Sequence, residues 1–389
     1  MIKQRWSRPE DFRIFQVNMV KKIVNKRANL YRLAPRRTFD GGDQAQIEAI
    51  YKAANVDVVL KKASRMVKLH KTAALQVGWK QDTLALSVVT PNILDAVYSD
   101  PEDPSRMIIT HRGVKDTDTQ YSDWSATGYS RRNYQGHPIA LTGNKGNENP
   151  YSLLPFVPLF DNLPDDQFFL PGGDDLLEAQ EAVNVALSNL WRSVELQAHG
   201  QAWATGVNAG EALQTGPDRA ITLPEGATFD YAAPNSPIED ILQAIEFVMR
   251  QTASSNDLSS DVFDLDRRSE SGAAKHIEQI DLHEARQDDI SLWRTYEKRL
   301  FEVIKAVANT HQPGSIPADT TVTVDFAELQ EFQAESERLS NARTKQELGM
   351  WSPVDVLRSE NPDGYPTRES AYQELVRRKE ESDNLLIQL

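Results

Sequence analysis

Cysteine is absent from this 389-residue sequence. Its absence excludes disulfide bonds, thiolate metal ligands and a cysteine nucleophile, and it is compatible with a reducing compartment. Hydrophobic residues make up 40% of the chain. A chain of this length and composition can bury one sizeable core, or two or three smaller cores joined by shared helices.

Long apolar runs are also missing. No stretch approaches the roughly 18 consecutive apolar residues that a membrane-spanning helix requires. The first residues, MIKQRWSRPEDF, lack the apolar segment of a signal peptide. We therefore expect a cytosolic protein without a membrane partner.

Motifs of the common enzyme families are not present. There is no GxxxxGK(S/T) loop for nucleotide phosphates, no GxSxG nucleophile elbow and no HExxH zinc motif. The histidines are scattered without metal-ligand spacing, so we expect surface or hydrogen-bonded roles for His70, His111, His137, His199, His276, His283 and His311. The sequence predicts no enzymatic activity, no cofactor and no metal.

One group of carboxylates departs from this pattern. Asp261, Asp264 and Asp266 in DVFDLD could in principle hold Mg²⁺ or Ca²⁺. The segment lacks the alternating acidic pattern, central glycine and distal glutamate of a calcium loop, and Arg267 and Arg268 follow directly and can neutralise it. We expect a flexible acidic loop. A nucleic-acid-processing enzyme that uses these carboxylates as metal ligands is the alternative.

Charge is distributed unevenly along the chain. The net charge is −14, but residues 1–37 carry +9, which leaves −23 for the rest. A basic arm therefore precedes an acidic body. This arm is either a solvated surface helix or a contact for nucleic acid or for an acidic partner.

Hydrophobic periodicity divides the first 160 residues into helices and then strands. Apolar residues recur at three- and four-residue steps from Pro9 to Leu33, and again over 43–69 with a break near Asn55, which predicts three helices. Residues 72–160 predict a β-rich module, with strands in AALQVGW, TLALSVVTP and MIITHR. We expect its exposed strands to carry aromatic cross-strand pairs drawn from Tyr121, Trp124, Tyr129 and Tyr134.

A proline-rich stretch follows. YSLLPFVPLFDNLPDD has too many prolines for a helix or a central strand, and we interpret it as a boundary. Beyond it, Asp174 and Asp175 can cap a helix that runs from about Leu176 to Trp203. We expect Trp191, Trp203 and Trp293 to be packing residues, with Trp203 also a candidate interface anchor.

A small β insert interrupts the helices. Residues 204–236 contain the strand-like segments AITLP and ATFDYAAP, and a second helix runs from Pro237 to about Ala253. Two helices that flank such an insert predict an antiparallel pair with the insert at its far end.

The remaining third of the chain is largely helical. The polar stretch SSNDLSSDVFDLDRRSESG predicts a loop. About 40 residues after Gly272 predict one helix, which would span roughly 60 Å if unbroken. The run TTVTVDFAEL predicts a short strand. Among the later helices, we expect one to start at Ser352-Pro353 and to end at Asn361-Pro362-Asp363-Gly364.

In this order, the elements resemble those of the portal proteins of tailed bacteriophages, along almost the whole chain. The resemblance is carried by VNMVKKIVNKRANLYRLAP (17–35), PFVPLFDN (155–162), LLEAQEAVNVALSNLWRSVELQAHGQAWATG (176–206), SGAAKHIEQIDL (271–282) and KQELGMWSPVDVLRSENPD (345–363). The chain departs from longer portal proteins in its short carboxy-terminal region, so its crown is expected to be reduced.

The resemblance implies an α+β portal fold with a defined series of parts. These are a wing (1–165), a first stem helix (166–203), a clip (204–236), a second stem helix (237–255), a tunnel loop (256–271), a long helix with its return to the wing (272–327) and a short helical crown (328–389).

It also implies a function and partners. Subunits of this family form a ring, usually of twelve, at one capsid vertex, and the ring is the channel for DNA packaging and ejection. The implied partners are double-stranded DNA, the large terminase, a head-tail adaptor, and the major capsid or scaffolding protein. The implied location is the virion, with assembly in the host cytoplasm.

Three sets of residues follow as candidates. A tunnel lining rich in carboxylates would let DNA slide, because it lacks the dense cations that pin phosphates; this set is Asp261, Asp264, Asp266, Arg267 and Arg268. Its two arginines would contact phosphate or form intersubunit salt bridges. The clip set, for motor and adaptor docking, is Asn208, Glu211, Asp218, Arg219 and Glu225. The basic set, for capsid or DNA contact, is Lys21, Lys22, Lys26, Arg27, Arg36 and Arg37.

A second alternative also fits this layout. The chain could be another ring-forming structural component of a head-tail junction, such as an adaptor or a capsid-stabilising protein. Ring closure requires a heterologous interface in either case, and the stem helices and clip are the natural places for it.

Overall fold

The computed structural model describes residues 15–141, 146–198, 201–206, 223–232, 238–263, 280–327, 335–361, 364–365 and 367–387. Contacts divide the chain into two compact units, Met1–Arg267 with Gln279–Ala327, and Arg268–Glu278 with Glu328–Leu389. The first unit mixes helices and strands, in agreement with the expected α+β class.

The α-helices of the described residues are α1 (Met19–Arg27), α2 (Gln44–Ala53), α3 (Val56–His70), α4 (Asp174–Ala198), α5 (Ile238–Ser254), α6 (Ile280–His311), α7 (Glu335–Glu347), α8 (Pro353–Glu360) and α9 (Arg368–Ile387). The strands there are β1 (Arg36–Asp40), β2 (Thr72–Lys80), β3 (Thr83–Val89), β4 (Leu94–Val97), β5 (Arg106–His111), β6 (Gln120–Ser125), β7 (Tyr129–Asn133), β8 (Pro138–Ile139), β9 (Phe156–Phe160), β10 (Gln201–Thr205), β11 (Thr228–Ala232) and β12 (Thr321–Asp325). Across the same residues, none of these helices has the length and apolar character needed to cross a membrane.

Helix α6 lies at the centre of the main core. Its 32 residues span roughly 48 Å at 1.5 Å per residue. The rest of the predicted 40-residue helix, residues 272–279, lies outside the described residues. The helix packs against β2, β9 and β12 through a face of helical spacing formed by Trp293, Tyr296, Leu300, Phe301, Ile304 and Val307.

Strand β2 is the middle strand of a three-stranded antiparallel sheet with the order β3-β2-β9. The two-residue turn between β2 and β3 has positive φ at both Gln81 (50°) and Asp82 (57°), which matches the right-handed twist of a tight hairpin. The strands predicted in AALQVGW and TLALSVVTP are confirmed.

The structure corrects the interpretation of YSLLPFVPLFDNLPDD as a boundary. Its FVPLF residues form β9, whose five residues are all buried in the main core. Pro158 lies opposite Ala74 of β2. Because β9 pairs on one side only, a residue without an N–H is tolerated there.

A second antiparallel sheet, ordered β4-β5-β6-β7-β8, is the predicted meander. The predicted strand MIITHR is β5. The predicted aromatic pairing is confirmed at Trp124 and Tyr129, which lie opposite each other on β6 and β7 with ring centroids 3.9 Å apart. Tyr121 instead faces Arg132, and Tyr134 lies beyond the end of β7.

Strand β1 was not predicted. It pairs with β12, the strand expected in TTVTVDFAEL, over Arg36 to Asp40. One residue of β1, Phe39, is buried, while the rest of RRTFD is polar. A segment with a single apolar residue has no strand periodicity of its own, so only its distant partner makes it a strand.

The helices before β2 agree in part with those predicted from the sequence. The break at Asn55 between α2 and α3 is confirmed, and Asn55 has left-handed φ and ψ of 52° and 39°. The helix predicted over 9–33 is shorter in the described residues, because Asn18 caps its start by accepting a hydrogen bond from the Lys21 amide at 2.8 Å. Helix α1 ends at Arg27, and Leu30–Arg32 form a separate 3₁₀ turn.

The second unit contains α7, α8 and α9. The predicted start of a helix at Ser352-Pro353 is confirmed: Ser352 and Asp355 form a capping box and Pro353 occupies the first turn of α8. This helix ends at Glu360, with Asn361 as its C-cap, as predicted.

Candidate functional site: the α4–α5 helix pair and the segments packed on it

Helices α4 and α5 form an antiparallel pair. Leu176 in the first turn of α4 and Ala253 in the last turn of α5 belong to one buried cluster, so the helices run in opposite directions. Strands β10 and β11 pair as an antiparallel hairpin that lies between the two helices in sequence. The predicted helix–insert–helix order is therefore present.

Two details of this region differ from the sequence prediction. Helix α4 ends at Ala198, and Trp203 lies on β10 opposite Asp230 instead of on the helix. The sequence places a glycine, Gly200, between the two elements, and glycine disfavours helix continuation. ATFDYAAP contains β11 as predicted, whereas most of AITLP lies outside the described residues.

The segment that precedes α1 is bound along α4 by its backbone. The amides of Phe15, Val17 and Val20 donate to Ser188 Oγ at 3.1 Å, Asn184 Oδ1 at 2.8 Å and Gln180 Oε1 at 3.1 Å. The acceptors are spaced by four residues and therefore share one face of α4.

Two of the three acceptors in this polar ladder are buried. Ser188 and Asn184 are 1% and 8% exposed, and the Ser188 hydroxyl also donates to the Asn184 carbonyl oxygen at 2.7 Å. The ladder was not predicted from the sequence. Its only sequence signal is a row of polar residues four apart beside the apolar stripe of an amphipathic helix.

A small apolar cluster joins α1 to the helix pair. Helix α1 contributes a buried face to it, and segment 254–263 contributes Leu258 and Val262. The expected polar loop is therefore packed in its described part and includes a 3₁₀ turn at Ser260–Phe263. The full cluster is Met19, Val20, Ile23, Val24, Leu176, Ala253, Leu258 and Val262.

Charges also connect α1 with this segment. Arg27 Nη1 lies 2.9 Å from Asp257 Oδ2, and Lys22 Nζ lies 5.0 Å from the centre of the Phe263 ring. The basic arm and the acidic segment, which the sequence suggests as separate features, therefore meet in this structure.

The candidate tunnel residues lie at or beyond the end of the described segment 238–263. Asp261 is half-buried and accepts a hydrogen bond from Ser260 Oγ at 3.1 Å. Asp264, Asp266, Arg267 and Arg268 lie outside the described residues.

Most of the candidate clip residues also lie outside the described residues. Glu225 is exposed in a turn closed by a hydrogen bond from the Ala227 amide to the Pro224 carbonyl at 3.1 Å, with Gly226 at a φ of 84°. Asn208, Glu211, Asp218 and Arg219 lie outside the described residues.

The candidate basic residues have different environments. Arg37 is buried against Glu297, at 2.7 Å, and also contacts Asp57 at 2.8 Å. Burial opposes its charge, but the hydrogen bond and attraction of Glu297 raise the pKa of Arg37 above its ordinary value. The Tyr31 hydroxyl donates to the same Glu297 at 2.9 Å. Within the set, the exposed residues are Lys21, Lys22, Lys26 and Arg36.

A buried ionic cluster fixes α6 against α3 and the end of β9. Lys68 Nζ lies 2.6 Å from Asp161 and 2.7 Å from Asp289, and Lys71 Nζ lies 2.8 Å from Asp161. Burial raises the pKa of Asp161, but the two ammonium groups outweigh it and leave the pKa lowered. Burial dominates at Asp289 and raises its pKa.

Apolar side chains are exposed along the helix pair in the isolated chain. Phe247 on α5 is 66% exposed, and Trp191 on α4 is 43% exposed beside Phe15, with ring centroids 5.2 Å apart. Trp293, by contrast, is 2% exposed and packs edge-on against Tyr31, which confirms it as a packing residue. The exposed apolar residues of this region are Leu177, Trp191, Val194, Trp203, Leu242 and Phe247.

Among the described residues, no three His, Cys, Asp or Glu side chains are grouped so that they could hold a metal ion. The polar groups of this region instead bind backbone amides or form ion pairs. The chemistry that the region offers is association through apolar and charged surfaces.

No protein-family model and no curated protein sequence matches this chain. Solved structures similar to it include the neck of an empty GTA particle computed with C6 symmetry, at 14% identity over 87% of this chain and 87% of that chain, with a TM-score of 0.48. A chain in the virion of the native gene transfer agent (GTA) particle is 12% identical over 85% and 84%, with a TM-score of 0.45. A chain in the neck of the native GTA particle computed with C12 symmetry is 14% identical over 88% of both chains, with a TM-score of 0.47. Each TM-score lies below 0.5, so these alignments do not define the fold of this chain.

Proposed function

We propose that this chain is the portal subunit of a tailed bacteriophage. In this role it forms a ring, of twelve subunits as is usual in that family, at one capsid vertex. The ring is the channel for DNA during packaging and ejection. The large terminase and a head-tail adaptor dock on the hairpin end, and the ring contacts the major capsid or scaffolding protein. The role is structural and requires no catalytic residue.

The observation that supports this function best is the arrangement around α4 and α5. An antiparallel helix pair carries the β10–β11 hairpin between its helices in sequence, and an acidic segment and then the long helix α6 follow. This is the order of stem, clip, tunnel loop and long helix that the resemblance to portal proteins implies.

Exposed apolar side chains on the pair support a ring. Phe247, Leu242 and Trp191 are 66%, 48% and 43% exposed in the isolated chain. Apolar residues grouped on one helix pair favour association, because association removes them from water. In a ring, one face of the pair meets a different face of the neighbouring copy, and each subunit makes the same two contacts.

The acidic segment after α5 is the proposed channel lining. Asp261 is half-buried near the end of the packed part of this segment, and Asp264, Asp266, Arg267 and Arg268 follow it in sequence. Carboxylates repel DNA weakly and release no counterions from it, so the duplex is not held in place. The two arginines supply limited phosphate contact.

The clip is the proposed docking site for terminase and adaptor. Glu225 is exposed at the tip of the turn that precedes β11. Asn208, Glu211, Asp218 and Arg219 lie between β10 and β11 in sequence, and we propose that they serve the same docking role.

Electron microscopy of the purified full-length protein tests the proposal. We expect rings with a central hole and a narrower protruding stem, and class averages with a fixed rotational symmetry. A protein that stays monomeric at high concentration, also when scaffolding protein is present, contradicts the proposal. Rings without a protruding stem would favour an adaptor instead.

A pair of matched variants tests the interface. Phe247→Asp places a charge on the exposed apolar face of α5, and we expect it to abolish rings. Val58→Asp places the same charge on α3, where Val58 is 68% exposed outside the helix pair, and we expect it to leave rings intact. Equal ring fractions for the two variants would exclude the helix pair as the interface.

A nuclease assay addresses the metal-dependent alternative. We expect duplex and single-stranded DNA to stay intact with the protein and Mg²⁺. Cleavage that disappears in Asp261→Ala or Asp264→Ala would contradict a purely structural role and support a metal-dependent enzyme.

A further inference from the structure

We propose that the exposed face of α1 is a binding surface for the phosphate backbone of double-stranded DNA. Lys21, Lys22, Asn25 and Lys26 are the exposed residues of this helix. Helix α1 contains no acidic residue. Lys22 is held over the Phe263 ring, whereas Lys21 and Lys26 have no carboxylate in ion-pair range among the described residues.

The lysines are presented by an anchored helix. The backbone before and within α1 is bound by the side chains of α4, and the opposite face of α1 is buried. The Arg27–Asp257 ion pair adds a charged contact at the end of the helix. Positive charges on a fixed platform bind phosphates with a smaller entropy cost than the same charges on a free tail.

The composition of this face favours nucleic acid over protein. The core of a protein interface is depleted of lysine and anchored by aromatic or aliphatic residues. The exposed face of α1 has three lysines, one asparagine and no apolar residue, unlike the α4–α5 pair. Lysine and asparagine are typical ligands of the DNA backbone.

Basic residues also lie on elements next to α1, and Asp257 of the acidic segment packed on α1 is paired with Arg27. Arg32 and Arg36 follow α1 and are exposed, and Lys62 is exposed on α3, which packs against α1. In a chain with a net charge of −14, a cluster of exposed cations around one helix favours a polyanionic partner.

Duplex binding by the full-length protein tests the inference. Fluorescence anisotropy with a labelled duplex of about 30 base pairs gives the affinity as a function of salt concentration. We expect Lys21→Gln with Lys26→Gln to weaken binding at least about tenfold near 50 mM salt. We also expect the slope of log affinity against log salt to become shallower by about 1.8, since each lost phosphate contact removes about 0.9.

A matched double variant controls for net charge. Lys52→Gln with Lys298→Gln removes two exposed lysines from α2 and α6, and we expect wild-type affinity and slope. Equal losses in the two double variants would overturn the inference. Displacement of the duplex by poly-glutamate at equal charge concentration would also overturn it, in favour of an acidic protein partner.

This surface goes beyond the proposed portal function, and the two fail separately. Imaging of the same samples reports ring formation, while anisotropy reports duplex binding. Lysine-dependent DNA binding by a protein that forms no ring would support the α1 surface and contradict the portal function. Intact rings whose DNA binding does not depend on Lys21 and Lys26 would support the portal function and contradict the α1 surface.

Discussion

At the scale of single residues, buried polar groups hold the parts of this chain together. Asn184 and Ser188 lie within an amphipathic helix, yet their oxygens accept backbone amides from residues about 170 positions earlier in the chain. A buried amide without an acceptor costs more than a hydrogen bond contributes. These side chains therefore determine where the basic segment lies.

Asn184→Ala tests the ladder. We expect the free energy of unfolding to fall by about 1 kcal/mol, because the partly buried hydrogen bond from the Val17 amide is lost. Hydrogen exchange of residues 15–20 should accelerate. Asn189→Ala is the control, since Asn189 lies on the same helix, makes no such bond and gains the same helix propensity. Unchanged exchange in Asn184→Ala would contradict the role of the ladder.

The Lys68 cluster predicts unequal effects of its two aspartates. At pH 7 we expect Asp161→Asn to lower the free energy of unfolding by about 3 kcal/mol, since it removes the carboxylate that both Lys68 and Lys71 contact. Asp289→Asn should cost less, because burial already raises the pKa of Asp289 and favours its neutral form. Urea unfolding measures both, with Asp103→Asn, at an exposed position, as the control.

The same pair predicts a pH dependence. The pKa of Asp161 is lowered in the folded chain, so its stabilising contribution is complete above the unfolded value of about 3.9 and is lost as the pH falls below it. The difference in the free energy of unfolding between wild type and Asp161→Asn should therefore become smaller below that pH. Asp289 should show the opposite pH dependence, because its raised pKa makes its contribution to stability fall as the pH rises. If the difference in the free energy of unfolding between wild type and Asp161→Asn did not change with pH, the lowered pKa of Asp161 would be contradicted.

At the scale of elements, the start of α4 depends on close backbone contact. Gly173 has a φ of 86° and precedes α4, and a Cβ there would meet the carbonyl oxygen of Leu69 at 2.2 Å. Leu69 belongs to the last turn of α3. Because glycine has no Cβ, α4 can begin in close contact with the end of α3.

Gly173→Ala should destabilise the protein by about 3 kcal/mol, from left-handed strain together with the clash. Gly136→Ala is the control, because Gly136 has a similar φ of 82° with nothing within 4 Å of a Cβ, and should cost about 1 kcal/mol. Thermal unfolding compares the two. Equal shifts of Tm would mean that the contact with Leu69 contributes nothing.

At the scale of the whole molecule, the chain carries two surfaces of different chemistry. The α4–α5 pair exposes aromatic and aliphatic side chains, and α1 exposes lysines. Apolar contacts lose little strength in salt, whereas at 1 M salt the range of charge interactions falls to about 3 Å. The two surfaces should therefore respond differently to ionic strength.

We expect rings to persist in 1 M NaCl while duplex binding is lost. Mass photometry follows the ring and anisotropy follows the duplex in the same buffer series. Rings that dissociate in step with the loss of DNA would indicate an interface held by charge, contrary to the apolar assignment of the helix pair.

Much of the secondary structure could be predicted because its signals are local. The turn at Asn55, the capping box at Ser352 and the buried face of α6 each depend on residues within one or two turns. The order of helix, hairpin and helix follows from the same kind of signal. Strands β1 and β9 were not predicted, since RRTFD has one buried residue and FVPLF contains a proline that only an edge position tolerates.

The sequence by itself determined the absence of thiol chemistry, the contrast between a basic arm and an acidic body, and the succession of helices and strands. Only the tertiary structure decided which charges are already paired, as for Arg27 and Arg37, and which stay exposed, as for Lys21 and Lys26. It also decided that α4 binds the segment before α1. The physical reason is that propensity and periodicity act over a few residues, whereas a salt bridge or a buried hydrogen bond depends on where distant segments meet.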